Sequence, residues 1–241
     1  MQICTTIKSI EQKTPQIKSI VLEYGDEDFR FYPGQWIDVH LSIDDESHNS
    51  CYSITSIPSS RRCIEIAVKL APDFPITRHL HRNSKAGDRI FISRAQGDLY
   101  LDNNIAGPFV FIAGGIGITP LYSMIRHLLA HKTREPVVLL YSIATRDEFL
   151  FETELRTLQD QHENFRVITT VTRNGNGNNN RRSCYGRINR DMLLSTQLPP
   201  RANYYLCGPP PMVDAVVEML EGLLEELEIT GDHIHYDKWW S

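Results

Sequence analysis

The stretch VFIAGGIGITPLYSMI places three glycines, a threonine and a proline between an apolar run and an amphipathic run. Gly114, Gly115 and Gly117 leave room for a ligand to approach the backbone, and they permit positive φ in a tight turn. Thr119 is predicted to cap the following helix, and Pro120 suits its first position, where the missing N–H is no loss. A helix start offers free N–H groups to an anion, so we favour ligand binding over the alternative that the glycines only pack the helix on a sheet.

A second turn of this kind follows in LCGPPPMVDAV, again between an apolar run and a helical pattern. Gly208 frees the backbone, and Pro210 and Pro211 preset the first turn of the helix. Two such turns at one edge of a parallel sheet face a single crevice, which is where ligands bind in doubly wound folds. Cys207 ends the strand before this turn, and the alternative interpretation of Cys207 is a small buried core residue.

Composition excludes several other kinds of chemistry. The formal net charge of −5 argues against a nucleic-acid binder that works by bulk charge. No apolar run approaches the ~20 residues of a membrane helix, and the first residues lack the apolar segment of a secretory signal, so we expect a cytoplasmic protein. Five cysteines form no CxxC pair and nine histidines form no ligand pattern, which predicts neither a disulfide framework nor a metal centre.

The first hundred residues show the two-residue period of half-buried strands. Ile37, Val39 and Leu41 alternate with polar side chains in WIDVHLSI, and IEIAVKL at 64–70 repeats the pattern. Five or six such strands, separated by turn signals, predict an antiparallel β-barrel or a sandwich, with one short helix starting near 77–81.

From about residue 108 the pattern alternates between continuous apolar runs and helical spacing. This alternation predicts a doubly wound, five-stranded parallel sheet, with Asp147 as the N-cap of its second helix. The polar segment 174–183 is predicted to be a mobile loop. The sequence therefore divides into a barrel domain, residues 1–105, and an α/β domain, residues 106–241.

Three motifs in this order resemble the ferredoxin–NADP reductase superfamily: YSIT at 52–55, GGIGITP at 114–120 and CGPPPM at 207–212. The C-terminal IHYDKWW further resembles a group of short oxidoreductase NAD-binding domain-containing proteins. The resemblance implies that the barrel binds a flavin, FAD, and that the α/β domain binds NADPH or NADH.

On the barrel, the resemblance implies that the Tyr52 ring packs on the flavin and that Ser53 hydrogen-bonds near its reactive N5. The family has an arginine for the flavin pyrophosphate where this chain has Ser50, so another cation must substitute or the flavin binds more weakly. The candidate substitutes are Arg61, Arg62, Arg78 and Arg94. The implied flavin-binding residues are Cys51, Tyr52, Ser53, Val68, Lys69, Ile76, Thr77 and Gly97.

On the α/β domain, the resemblance implies that Cys207 lies near the nicotinamide C4. Trp239 is implied to cover the flavin face, with Trp240 as the alternative; both tryptophans could instead only cap the interface between barrel and sheet. Ser53, Cys207 and Trp239 are the implied catalytic residues. The implied nucleotide-binding residues are Gly115, Gly117, Thr119, Ser142, Arg146, Arg173, Cys207, Gly208, Pro209 and Met212.

The coenzyme depends on cations near the ribose 2′-phosphate. Arg146 and Arg173, together with Arg181 and Arg182 in the polar loop, favour NADPH, while the neighbouring Asp147 leaves NADH open. The expected activity is hydride transfer from NAD(P)H to flavin N5, followed by electron transfer to a separate protein, such as a ferredoxin, flavodoxin or oxygenase component, or to a small molecule. Two alternatives are a regulatory or scaffold module that has lost its flavin, and a reductase that takes flavin as a passing substrate.

Overall fold

A computed structural model describes residues 2–25, 29–58, 62–102, 105–173 and 183–239, with only the backbone of Ser183 and Cys184. Arg61, Arg181, Arg182 and Trp240, and the polar loop except its last residue, lie outside the described residues. The chain forms two compact units: Met1–Asp102 with Tyr122–Leu128, and Asn103–Leu121 with Leu129–Ser241.

The N-terminal unit is an antiparallel barrel, as the alternating patterns predict. Its six strands are β1 (Ile3–Thr14), β2 (Ile17–Tyr24), β3 (Trp36–Ile43), β4 (Glu46–Ser53), β5 (Cys63–Lys69) and β6 (Arg89–Ile92). They are ordered β4-β3-β6-β1-β2-β5, and a bridge between Ile54 and Ile66 brings the end of β4 to β5 and closes the barrel.

One helix, α1 (Pro75–Arg82), packs on this barrel where the sequence predicts a short helix. Pro75 opens α1 at a position where no N–H is needed. Ile76 and Leu80 are four residues apart, so they share one face, and both are buried in the barrel core with Tyr52.

The C-terminal unit has a wholly parallel sheet. Its strands are β7 (Phe109–Gly114), β8 (Val137–Ile143), β9 (Phe165–Val171), β10 (Ser183–Tyr185), β11 (Asn203–Gly208) and β12 (Ile234–Lys238). The order is β10-β9-β8-β7-β11-β12, so the five predicted strands are present and β10 adds a short sixth strand at one edge. The order reverses at β7, which has β8 on one side and β11 on the other.

Strands β7 and β8 do not alternate between apolar and polar residues, because both of their faces are buried. Every residue of both strands is buried, as expected for central strands of a parallel sheet covered on both faces. The helices of the chain beyond the barrel are α2 (Ile118–Ala130), α3 (Glu152–Gln161), α4 (Arg190–Ser195), α5 (Pro210–Glu221) and α6 (Leu224–Leu227).

The predicted N-cap of the second helix is wrong. Asp147 lies in a separate 3-10 turn, Arg146–Glu148, and α3 starts only at Glu152, after Phe151 with a φ of 62°. The chain turns twice after β8 before it enters the helix, and a single-residue capping signal does not reveal that detour.

Candidate functional site

The two glycine turns interlock at the carboxyl edge of the parallel sheet. A Cβ on Gly117 would collide with the Cys207 carbonyl and lie 2.6 Å from Cα of Gly208. A Cβ on Gly114 would lie 2.5 Å from the Met212 sulfur, and one on Gly208 would lie 3.0 Å from Cα of Gly114. Gly114, Gly117 and Gly208 therefore allow the turn after β7 to pack against the turn after β11.

Gly115 differs from its neighbours. Its φ is 53°, and an added Cβ would have no atom of the described residues within 4 Å. The Tyr141 hydroxyl of β8 donates a hydrogen bond to the Gly115 carbonyl at 2.9 Å and fixes the turn. In this turn, Gly117 packs against the turn after β11, whereas the backbone at Gly115 is open to an approaching nucleotide.

The predicted capping role of Thr119 is wrong. Helix α2 begins at Ile118, after the 3-10 turn Gly115–Gly117 and two residues before the predicted start at Pro120. Thr119 therefore lies inside the helix, and Pro120 is its third residue and not its first. The Thr119 hydroxyl donates to the Ile116 carbonyl at 2.9 Å and so stabilises that turn. Its predicted contact with a nucleotide stays a prediction.

Cys207 is fully buried at the end of β11. Burial raises the pKa of its thiol well above the usual value, and Asp237 adds to the effect, while the Gly208 N–H and the nearby Trp239 indole oppose it. The side chain is therefore a neutral thiol and not a nucleophilic thiolate. Cys207 fits both a core residue and a neutral group beside a nicotinamide ring.

Trp239 follows β12, and its backbone N–H donates to the Gly208 carbonyl at 3.0 Å. Pro209 precedes α5, and its carbonyl accepts from the Met212 N–H. The structure therefore brings Trp239, Cys207, Gly208, Pro209 and Met212 together beside the glycine turns.

The residues predicted to select the coenzyme lie at the ends of β8 and β9. Ser142 is buried and paired across the sheet with Gly114. Arg146 and Arg173 are both exposed, and the Arg173 N–H donates to the Ala144 carbonyl at 2.9 Å. Two guanidinium groups are thus carried by neighbouring strand ends, at the sheet edge where β7 ends.

In the barrel unit, Tyr52 is buried in the core and its phenol oxygen has no hydrogen-bond partner among the residues described. Burial raises the pKa of Tyr52 to about 12, and the nearby Ser50 hydroxyl, which is not in hydrogen-bond geometry, opposes this rise. A buried, unpaired hydroxyl costs about 1–3 kcal/mol, which a ligand with a polar group there would relieve. Ser53 ends the same strand and is also buried.

Helix α2 holds the segment after Ser53 in place. The Ser123 hydroxyl donates to the Ser56 carbonyl at 2.6 Å. Arg126 donates to the Thr55 carbonyl at 3.1 Å and pairs with Glu65 at 3.4 Å. These contacts, all within the N-terminal unit, fix the strand end that carries the predicted flavin residues.

The remaining predicted flavin residues differ in accessibility. The side chains of Val68 and Ile76 are buried in the barrel core, so only their backbone could meet a ligand. The Thr77 hydroxyl donates to the Ala71 carbonyl at 2.7 Å and accepts from the Ala71 N–H, which fastens the loop before α1. Gly97, with a φ of 105°, accommodates the Trp36 indole, whose nitrogen would lie 2.6 Å from a Cβ.

Cys51 and Lys69, both half-buried, complete the predicted set. The roles of all these residues in binding or catalysis stay predictions.

Three supporting residues were missed by sequence reasoning: Tyr141, Arg126 and Trp36. Tyr141 lies in a run of apolar strand residues, and Arg126 lies among the apolar positions of α2. The apolar pattern of the strand and that of the helix do not reveal that Tyr141 and Arg126 form hydrogen bonds. Trp36 opens an alternating strand, so only its proximity to Gly97 reveals its role.

Metal-ligand clusters of three or more His, Cys, Asp or Glu are absent from the part of the chain that the structure describes. Within the same residues, no helix has the length and apolar character needed to cross a membrane.

Two family models match the chain in the order of its two units. A model described as oxidoreductase FAD-binding domain matches residues 5–100, and one described as oxidoreductase NAD-binding domain matches residues 111–218.

Curated relatives cover nearly the whole chain. It is 30% identical over 250 residues to oxidoreductase NAD-binding domain-containing protein 1 of Danio rerio, covering 96% of this chain and 89% of the relative. It is 28% identical to the propane 2-monooxygenase reductase component of Mycolicibacterium smegmatis, and the match covers 98% of this chain and 67% of that relative. It is 26% identical to a flavohemoprotein of Bacillus anthracis, covering 89% of this chain, and it spans only 54% of that longer protein.

Solved structures share the fold. The FAD/NAD-binding domain of a nitric oxide dioxygenase from Vibrio cholerae superposes with a TM-score of 0.86 at 23% identity, covering 98% of both chains. A ferredoxin NADP+ reductase from Neisseria gonorrhoeae, with bound FAD and NADP, gives 0.82 at 21% identity and covers 99% of both chains.

Proposed function

We propose, from the premise that this chain belongs to the family of oxidoreductases with paired FAD-binding and NAD-binding domains, that it is an NAD(P)H-dependent flavoprotein reductase. Residues 1–105 would hold FAD, and residues 106–241 would hold the nicotinamide nucleotide. Bound flavin would take a hydride from the nicotinamide and release electrons to an acceptor.

The observation that carries this proposal is the buried phenol of Tyr52. A polar group of a bound flavin would give this hydroxyl the partner that the described residues do not, and so would offset its cost. The phenol lies beside Ser50, within the motif by which the chain resembles flavin-binding barrels. This favours a flavin-loaded enzyme over a regulatory or scaffold module.

The chain's own residues would bind and orient. The open backbone at Gly115 would receive the nucleotide, and the neutral thiol of Cys207 would lie beside the nicotinamide without adding a charge. Ser53 would offer a hydroxyl at the flavin, and Trp239, held by Gly208, would cover the ring until the nicotinamide replaces it.

NADPH is the proposed coenzyme. Arg146 and Arg173, both exposed at neighbouring strand ends, could form charge-assisted hydrogen bonds to a 2′-phosphate. The ferredoxin reductase of similar fold has bound NADP, which supports this preference.

The proposed acceptor is a separate electron-transfer protein or a small molecule. The propane monooxygenase relative is named a reductase component, which supports a protein acceptor. Sequence spacing also predicts no iron–sulfur cluster within the chain itself.

The decisive experiment loads the purified chain with FAD and adds NADPH or NADH without oxygen, following flavin absorbance. We expect bleaching within the mixing time or seconds after it, and we expect Ser53→Ala to slow bleaching without changing the amount of FAD bound. A protein that neither carries nor takes up flavin would instead support the module. A flavin that binds but is not bleached by either coenzyme would exclude the reductase.

The coenzyme preference is tested with a matched pair of arginine variants. Arg173→Gln should raise the KM for NADPH about tenfold and leave that for NADH unchanged, because it removes a charged hydrogen bond. Arg201→Gln is the control, since Arg201 lies beyond the amino end of β11 and pairs with Glu228. Equal effects of Arg173→Gln on both coenzymes would contradict the NADPH proposal.

A further inference from the structure

The barrel lacks a cation at the position where its family neutralises the flavin pyrophosphate. Ser50 stands there, and a hydroxyl cannot balance the two negative charges of a pyrophosphate. Since the proposed function requires FAD to be held, a different residue of the N-terminal unit must meet these charges. The following inference rests on that proposed function.

Two of the alternative arginines are unsuitably placed. Arg62 lines a cavity of about 620 Å³ with Cys4, Tyr24 and Arg89, on the part of the barrel formed by β1, β2 and β6. Arg94 follows β6, and the Asp38 carboxylate accepts a hydrogen bond at 3.3 Å from Gln96, two residues after Arg94, so an acidic side chain adjoins this segment.

Arg78 is placed differently, in the first turn of α1. Its Nη1 donates to the Pro72 carbonyl at 3.4 Å, so the guanidinium folds back over the loop that leads into α1. This is the loop fastened by Thr77, and the helix start behind it is where the family resemblance places the second phosphate contact. One N–H contact leaves the other donors of the guanidinium available.

The face of β4 that carries Ser50 turns toward α1. Ser50 and Tyr52 are two residues apart on one strand, so their side chains share a face. Tyr52 packs in the same core as Ile76 and Leu80 of α1. Helix α1 therefore packs beside the face of β4 that carries Ser50. Arg78 lies on the exposed side of α1, and its guanidinium folds back to the Pro72 carbonyl.

A cavity lies between this helix and the turn of the β3–β4 hairpin. It has a volume of about 360 Å³ and is lined by Ser42, Ile43, Asp44, Pro75, Arg78, His79, Arg82 and Asn83. Three of the lining side chains on α1 are basic, against the single carboxylate of Asp44 on the hairpin. The balance of charge in this cavity suits a phosphate-bearing ligand.

We propose that Arg78 supplies the cation that Ser50 does not, so that the FAD pyrophosphate is held from α1 and not from β4. A guanidinium can bind two phosphate oxygens at once, which gives both charge and orientation. The isoalloxazine ring would remain with Tyr52 and Ser53.

The test compares the affinities of FAD and riboflavin by calorimetry, because riboflavin has the ring but no phosphate. We expect the unmodified protein to prefer FAD. Arg78→Gln should lower FAD affinity about 10- to 100-fold and leave riboflavin affinity unchanged. Arg94→Gln, at another exposed arginine of the same unit, should change neither. Adding Ser50→Arg to Arg78→Gln should restore the preference for FAD.

Two results would overturn the inference while leaving a flavin-binding barrel. The first is that the Arg78→Gln variant binds FAD as tightly as the unmodified protein does. The second is that the unmodified protein binds riboflavin as tightly as FAD, which would mean that the ring alone is recognised. A protein that binds neither flavin would overturn the proposed function together with this inference. Circular dichroism of each variant separates these results from misfolding.

Discussion

Replacing Gly117 with alanine should destabilise the C-terminal unit much more than the same change at Gly115. At Gly117 the new methyl group meets backbone atoms of Cys207 and Gly208, one of them at 2.6 Å. Overpacking typically costs 1–3 kcal/mol, and backbone cannot rotate away, so we expect about 3 kcal/mol. At Gly115 the methyl group has space, and only the positive φ opposes it, which costs about 1 kcal/mol.

The two variants can be compared by urea unfolding followed with far-ultraviolet circular dichroism. With a slope of about 2 kcal/mol per molar urea, the midpoint should fall by roughly 1.5 M for Gly117→Ala and roughly 0.5 M for Gly115→Ala. Equal shifts, or a larger one for Gly115→Ala, would refute the assignment of Gly117 to packing and Gly115 to an open position.

The remaining predictions concern supporting contacts. Tyr141→Phe should lower the free energy of unfolding by about 1–2 kcal/mol because it removes the hydrogen bond to the Gly115 carbonyl. Tyr204→Phe, in contrast, should be neutral or stabilising by up to about 1 kcal/mol, since its buried hydroxyl has no partner in the described part of the chain; a loss like that of Tyr141→Phe would contradict this. Arg126→Met should cost about 1–2 kcal/mol through the lost bond to the Thr55 carbonyl, and an unchanged urea midpoint would count against it. Burial lowers the pKa of His81, so its contribution to stability is full above pH 6.5 and is lost as pH falls below that value; the thermal midpoint should drop between pH 7.5 and 5.5, and less so in His81→Gln.

The order of elements could be predicted from the sequence because period-two and period-3.6 patterns are direct results of which face is buried. The continuous apolar runs of β7 and β8 also revealed that both faces of the sheet are covered. The short strand β10 was missed, since three residues after a polar segment carry too little pattern.

The positions of individual side chains in the site were less predictable. The spacing of Gly114, Gly115 and Gly117 identified the turn, but not which glycine packs against Cys207 and which is open. The capping role of Thr119 was wrong because the chain inserts a 3-10 turn before α2, and the choice depends on backbone packing that a local signal does not contain.

Helix α2 is divided between the two units. Its segment Tyr122–Leu128 belongs to the N-terminal unit, where Met124 lies against Gly34, and Ser123 and Arg126 bond to the strand end after Ser53. A ribosome that has released the whole barrel sequence has therefore not yet made the piece that completes it. During synthesis, the first unit of this protein can finish folding only after translation has passed through the opening of the second.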